Sequence, residues 1–368
     1  MGLKAGLVGL PNVGKSTLFN ALTNSSVPAE DYPFCTIDPH VAITNVPDER
    51  LPKLAEIFGS AKMIPTTAQF VDIAGLVKGA AQGEGLGNQF LGHIMEVDLI
   101  LHVLKCFDEN ATPIDDFEII CAELMLKDLE SITKREEKLT NSLKTAKNRG
   151  LSTQEIKDLE NEQVLVKQVK HALEAGDMAQ THSLVIQAKE RGVGTIPVLS
   201  AKNYLIIANL SEEDFSHKNY INNKTYQTLI KQFGETKVIP VSAQIESELA
   251  QLETLDSDIM MKELGITESG LDTIVKKSYE NLNLITFFTC GPKEAHAWSI
   301  GRGTSAPSAA GEIHTDLERG FIRAEVYNCN DLFKLKSEAE IRKAGKLRTE
   351  GKEYAIQDGD LINVLFNV

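Results

Sequence analysis

Eight residues near the amino terminus, Gly9-Leu10-Pro11-Asn12-Val13-Gly14-Lys15-Ser16, have the types and spacing needed to hold a chain of phosphates. Glycine backbone lets successive N–H groups converge on an anion. The Lys15 ammonium neutralises phosphate oxygens, and the Ser16 hydroxyl is a hard donor suited to Mg²⁺. Such a loop works only with a strand before it and a helix after it. Leu3 to Leu10 is a short apolar run ended by Gly9 and Pro11, which reads as a buried strand. Ser16 to Thr23 places Leu18, Phe19, Ala21 and Leu22 at helical spacing. Asn12, Val13, Gly14, Lys15, Ser16 and Thr17 are therefore candidate nucleotide contacts, with Lys15 as the phosphate-stabilising group.

Two further positions belong to the same chemistry. Asp72 stands at the end of an apolar run, Gln69 to Ile73, where its carboxylate can hold Mg²⁺ through water, and Gly75 follows with an N–H suited to a terminal phosphate. Thr36, between Pro33 and Pro39, is placed to ligate Mg²⁺ when a γ-phosphate is present. Leu76 occupies the position where Ras-like enzymes carry a water-orienting glutamine, so slow hydrolysis is expected and the catalytic group is unassigned. The stretch Leu76 to Gly87 is dense in glycine and expensive to order, as a switch segment must be. Gln82 and Glu84 are its polar candidates. His93 and His102 read as structural histidines.

Guanine-specific relatives of this loop read the base with Asn-Lys-x-Asp, whose aspartate accepts from the ring N1–H and the exocyclic amine. Here the corresponding strand end is Asn209-Leu210-Ser211-Glu212. Leucine and glutamate at the second and fourth positions impair that readout and remove a preference for GTP. Ser242 and Ala243, after the apolar run Lys237 to Val241, fit the loop that closes the base pocket.

The elements that must position these residues read as a mainly parallel α/β sheet. Its further strands are Leu99 to Cys106, Thr195 to Leu199 and Tyr204 to Asn209, with helical stretches between several of them. From about Asp116 to Arg191 the chain is rich in lysine and glutamate. Leu129, Ile132, Leu139 and Leu143, then Ile156, Leu159, Val166 and Leu173, predict two antiparallel helices packed as a coiled-coil hairpin. Glu136 and Gln163 interrupt that seam. From about Asn283, short strands at Thr286 to Thr289, Gly320 to Tyr327, Glu353 to Ile356 and Leu361 to Asn367, with a helix over Ser337 to Lys346, predict a small α+β domain.

Composition sets outer limits. The 368 residues carry a formal net charge of -14, so the whole-molecule field does not favour nucleic acid. The five cysteines, Cys35, Cys106, Cys121, Cys290 and Cys329, include no Cys-x-x-Cys pair, which argues for reduced thiols in a cytoplasmic setting. No run of about 18 apolar residues predicts a membrane span, and Met1 to Leu10 is too short for a signal-peptide core.

The chain resembles the YchF / Obg-like ATPase family across its length. The motifs that carry the likeness are the loop at 9–16, Pro-Phe-Cys-Thr-Ile at 33–37, Asp-Ile-Ala-Gly-Leu-Val-Lys-Gly-Ala at 72–80 and Gly-Glu-Gly-Leu-Gly-Asn at 83–88. Asn-Leu-Ser-Glu at 209–212, Ala-Ala-Gly-Glu-Ile-His-Thr-Asp at 309–316 and Asp-Gly-Asp-Leu-Ile-Asn at 358–363 join them. The resemblance implies a P-loop NTPase domain of Ras-like type over 1–115 and 192–282, a helical coiled-coil insertion over 116–191, and a ubiquitin-like β-grasp (TGS) domain over 283–366. It implies ATP preferred over GTP or accepted alongside it, Mg²⁺ at Ser16 and Thr36, an adenine contact at Leu210, and association with ribosomes. Asn12 matches a loop asparagine that in related enzymes helps bind K⁺. A longer loop after Phe107, which carries a histidine in the family, is absent here.

Two functions follow from these residues. One is a slow ATPase whose loops report nucleotide state to a ribosome-bound surface. The other is an adaptor in which nucleotide is a structural ligand and Arg342, Lys343, Lys346, Arg348 and Lys352 meet rRNA phosphates.

Overall fold

The computed structural model describes residues 2–25, 40–73, 92–146, 151–192 and 196–367. Six strands form one sheet in the order β2-β4-β1-β5-β6-β7: β1 (Leu3–Val8), β2 (Val41–Asn45), β4 (Thr67–Asp72), β5 (Leu99–Lys105), β6 (Asn203–Asn209) and β7 (Val238–Val241). The pairs β5–β6 and β6–β7 are parallel. Strand β5, Leu-Ile-Leu-His-Val-Leu-Lys, is buried on both faces from Leu99 to Leu104. That is why it reads as a continuous apolar run with no alternation. Pro240 is tolerated in β7 because this strand lies at the sheet edge, where a missing N–H breaks no ladder. Helix α1 (Lys15–Asn24) follows β1 after the glycine loop, as expected.

Helix α2 (Arg50–Phe58) leads into a second six-stranded sheet, ordered β11-β10-β12-β8-β9-β3. It contains β3 (Lys62–Ile64), β8 (Leu284–Cys290), β9 (Glu294–Gly301), β10 (Phe321–Asn328), β11 (Arg348–Glu350) and β12 (Asp360–Phe366). Strand β12 runs parallel to β8 and antiparallel to β10, and β3 adds to β9 in parallel. One face packs Leu51, Leu54, Phe288, Ala295, Ala297, Leu332 and Ile341; the other gathers Ile285, Phe287, Ile300, Ala309, Phe321 and Val326.

By internal contacts the chain divides into two compact units. One comprises Gly6–Thr17 and Val71–Gln244; the other comprises Met1–Ala5, Leu18–Phe70 and Ile245–Val368.

Three sequence expectations are corrected. The helical segment holds three helices, not a two-helix hairpin: α3 (Pro113–Ala146), α4 (Thr153–Glu174) and α5 (Met178–Glu190). It begins at Pro113, whose missing N–H suits a first helical position. The α3–α4 seam exists, with Ile132, Leu139, Val166 and Leu173 buried. Ala188 of α5 joins the same cluster. The two polar seam residues are satisfied across it: Lys170 donates to Glu136 at 2.9 Å and Gln163 to the Thr140 hydroxyl at 2.9 Å.

Secondly, residues 196–199 of the expected strand Thr195 to Leu199 form no strand. Ile196, Val198 and Leu199 are buried, which explains the apolar run. The end of the run is held by a side chain: the buried Asp128 carboxylate of α3 accepts from Leu199 N (2.8 Å), Ser200 N (2.8 Å) and Ser200 Oγ (2.7 Å). Thirdly, Glu353 to Ile356 is a turn with one isolated bridge, Ala355 to Ser305, and the short β11 was not anticipated.

Candidate functional site

The phosphate-loop residues sit where β1 gives way to α1. Asn12 and Gly14 have φ of 66° and 91°, with Val13 on the negative side between them. Alternating φ sign turns successive N–H groups toward one side and makes an anion-binding concavity. Asparagine tolerates the left-handed region, and Gly14 has a second reason to lack a side chain: a Cβ there would run into the Asn209 amide nitrogen. Gly9 is also confined, since its Cβ would lie 2.8 Å from Val13 Cγ2 and 2.9 Å from the Val103 carbonyl of β5.

The ends of several strands converge on this loop. Ile73 N, just past β4, donates to the Leu7 carbonyl of β1 at 3.2 Å. This brings Asp72 beside the loop, where its carboxylate forms an ion pair with Lys15. Lys15 is buried, whereas Ser16, Thr17 and Asn12 are exposed. The donors thus gathered, a hydroxyl and a carboxylate, are hard oxygens, and they fit Mg²⁺ rather than a thiolate-seeking metal. Among the described residues no group of three or more His, Cys, Asp or Glu could hold a metal on its own.

The base side is built from β6 and β7. Asn209 is 4% exposed and spends its whole amide on the backbone: Nδ2 donates to the Val13 carbonyl at 2.8 Å, and Oδ1 accepts from Ala243 N at 2.9 Å. Asn209 is therefore a clamp between the phosphate loop and the loop after β7. Its residue type was legible in the sequence but this role was not. Leu210 is buried, with its N–H donated to the Val241 carbonyl at 2.8 Å. Ser211 caps a short helix, Glu212–Phe215, leaving Glu212 exposed at its first turn. Ser242 is fully buried, and its hydroxyl has no hydrogen-bond partner among the described residues.

His102 is a core residue. Its ring lies 4.7 Å from Phe117 and 5.8 Å from Tyr204, and burial pushes its pKa down to about 3, so it stays neutral and is no proton carrier. Burial likewise pushes the Cys106, Cys121 and Cys290 thiols up to about 12, leaving them unreactive. Of the basic group, Arg342 meets Glu325, Lys343 meets Glu340, Lys346 meets Asp331, and Arg348 meets Glu350 and Asp360. Thr36, Gly75 and the segment Leu76 to Gly87, with Gln82 and Glu84, lie outside the described residues.

Known proteins resemble this chain along its whole length. Residues 4–147 match the family MMR_HSR1, described as 50S ribosome-binding GTPase, and residues 284–367 match YchF-GTPase_C, described as a protein of unknown function (DUF933). The chain is 45% identical over 376 residues to the Ribosome-binding ATPase YchF of Bacillus subtilis, covering 100% of both chains. The chain belongs to the YchF family. The protein of the same name from Escherichia coli O157:H7 is 42% identical, again over 100% of both chains. A solved relative, the YchF GTPase of Schizosaccharomyces pombe, superimposes with a TM-score of 0.81 at 36% identity. The match covers 99% of this chain and 98% of that one. The α/β fold with a phosphate-loop domain and a separate carboxy-terminal region is thereby established. No helix among the described residues is long and apolar enough to cross a membrane.

Proposed function

We propose that this chain is a Mg²⁺-dependent, ribosome-associated ATPase that turns over slowly and acts as a nucleotide-dependent switch. The observation that carries the reading is the juxtaposition of Lys15 and Asp72 beside a loop with alternating backbone handedness. A buried ammonium and a carboxylate aimed at the same loop are an arrangement ready to exchange partners: Lys15 to the phosphate oxygens, Asp72 to the water shell of a cation. Ser16 and Asp72 would hold Mg²⁺, with Thr36 as a further ligand; the ion would supply charge neutralisation at the phosphates. Asn12 through Thr17 contact the phosphates, and Asn12 is the candidate contact for K⁺. Asn209 fixes the loop, while Leu210, Glu212, Ser242 and Ala243 form the base side, with ATP accepted in preference to GTP or alongside it.

Names of the relatives support the ribosomal role and hydrolysis. The domain division that goes with the reading is 1–115 with 192–282 for nucleotide, 116–191 for the helical insertion, and 283–366 for the TGS domain. Acids beside Arg342, Lys343, Lys346 and Arg348 reduce the net positive charge this group presents to rRNA phosphates, although ion pairs this exposed exchange readily.

Lys15→Ala removes charge-assisted contacts worth about 1.5–3 kcal/mol each, and should weaken ATP binding by about a hundredfold or more. Leu210→Lys with Glu212→Asp should move preference toward GTP. Unchanged ATP affinity in the first variant sinks the site, and unchanged base preference in the second sinks the base-side assignment. Co-sedimentation with ribosomes in an ATP analogue, in ADP and without nucleotide tests the switch; equal binding in all three favours an adaptor.

A further inference from the structure

Strand β6 is gripped at both ends by other elements. At its carboxyl end the Asn209 amide joins the Val13 carbonyl of the phosphate loop to the Ala243 N–H. Just before its amino end, residues 199–202 are held from three directions. Asp128 of α3 accepts from Leu199 N, Ser200 N and Ser200 Oγ. His182 Nδ1 of α5 donates to the Ala201 carbonyl at 2.6 Å. Lys202 Nζ donates to the carbonyls of Val97 (2.6 Å) and Met95 (3.2 Å), which lead into β5.

Between these grips the strand is stiff. Its seven residues pair one to one with β5 from Leu99–Asn203 to Lys105–Asn209, and Ile206 to Asn209 also pair with β7. Leu205 to Asn209 are buried. A strand locked on both edges cannot slip by one residue without turning its side chains to the opposite faces. Seven residues at about 3.3 Å each span roughly 20 Å. Gly14 and the Asn209 amide pack without room for a Cβ, so a displacement of Val13 and Gly14 would reach Asn209 and, through it, this length.

We propose that β6 is a strut that couples nucleotide state at the phosphate loop to the helical insertion, with Asn209 as its inner joint and Asp128 and His182 as its outer joint. The proposal rests on the nucleotide reading of Gly9 to Ser16. It makes His182, which touches no part of the candidate nucleotide site, a positioning residue. Coupling between two sites is reciprocal, so what nucleotide does to the insertion the insertion does to nucleotide affinity by the same factor. Contiguity alone does not establish coupling, so the test must read the coupling itself.

Amide hydrogen exchange over residues 117–143 and 155–174 is measured with ADP, with a non-hydrolysable ATP analogue and without nucleotide. Binding of fluorescent ATP and ADP analogues is titrated in the same samples. In the wild-type chain, exchange in these helices should differ about fivefold or more between the two nucleotide states, the lower end of common coupling factors. His182→Phe keeps an aromatic ring and removes the donor to Ala201. It should bind nucleotide yet lose that difference, and its ATP-to-ADP affinity ratio should change by the same factor. His182→Asn places an amide N–H where Nδ1–H stood and should recover both, which a merely destabilised strand would not do. Nucleotide binding with no exchange difference in the wild type overturns the strut. So does a full difference in His182→Phe. Absence of nucleotide binding in the wild type refutes the functional reading, and the strut with it.

Discussion

Glu246 offers a test of how burial and helix geometry compete. Its carboxylate is 1% exposed and accepts from Gly270 N at 2.7 Å and Leu271 N at 3.3 Å, the first amides of the helix Gly270–Asn281. Those amides favour the charged form, as a helix amino terminus does. Burial outweighs them and, with Asp272 nearby, lifts the pKa from 4.5 to about 7. The folded state therefore holds the proton more tightly than the unfolded one. This stabilisation is fully present below pH 4.5 and is lost as pH rises through about 7. The gap is worth about 3 kcal/mol at 1.36 kcal/mol per pH unit, and about 2 kcal/mol of it falls between roughly pH 5.5 and 8.5. Glu246→Gln keeps an acceptor for the helix and cannot ionise. Urea unfolding followed by the single tryptophan, Trp298, reports the unit that contains Glu246. The wild type should lose about 2 kcal/mol relative to the variant across that pH range. A constant offset between the two stability curves would refute the reasoning, since it would mean that the carboxyl titrates alike in both states.

Two further outcomes follow from the same kind of argument. Gly14→Ala places a methyl against the Asn209 amide at a backbone φ of 91° and breaks the Asn209–Val13 bond, so the Kd for an ATP analogue should rise about tenfold or more; calorimetry giving a change below twofold would contradict the clamp. Asp128→Ala strands two buried N–H groups and a hydroxyl, and should lower stability by about 3–5 kcal/mol in denaturant unfolding followed by helical circular dichroism.

The parts of this fold that were legible in the sequence share one property: local pattern and structure agree. Strands β1, β4, β5, β6 and β7 are apolar runs because they are buried, and the glycine loop announces the turn from β1 into α1. Where the deciding interaction is distant, the pattern misleads or falls silent. Ile196 to Leu199 is as apolar as a strand, yet the N–H that ends it, on Leu199, goes to a carboxylate on α3. Strand β3 has two of its three residues exposed and owes its existence to β9. In β9, Ala295 and Ala297 face the core while His296 and Trp298 are half-buried, a period-2 alternation blurred by small residues. At the site, residue types identified Lys15, Asp72 and Asn209. That Lys15 and Asp72 pair, and that Asn209 serves the loop's geometry, is visible only in the folded chain.

The addition of β3 to the carboxy-terminal sheet has a consequence for the order of events during synthesis. Lys62, Met63 and Ile64 pair with Glu294, Ala295 and His296, about 230 residues later in the chain. At roughly 5–20 residues per second, the ribosome needs roughly ten to forty-five seconds to supply that partner. Over that interval Met63, still 51% exposed in the finished fold, and the unpaired backbone around it have no strand to meet. The amino-terminal part of the chain is thus committed, before release, to waiting for its last section, and fragments that stop short of β9 carry an open strand edge.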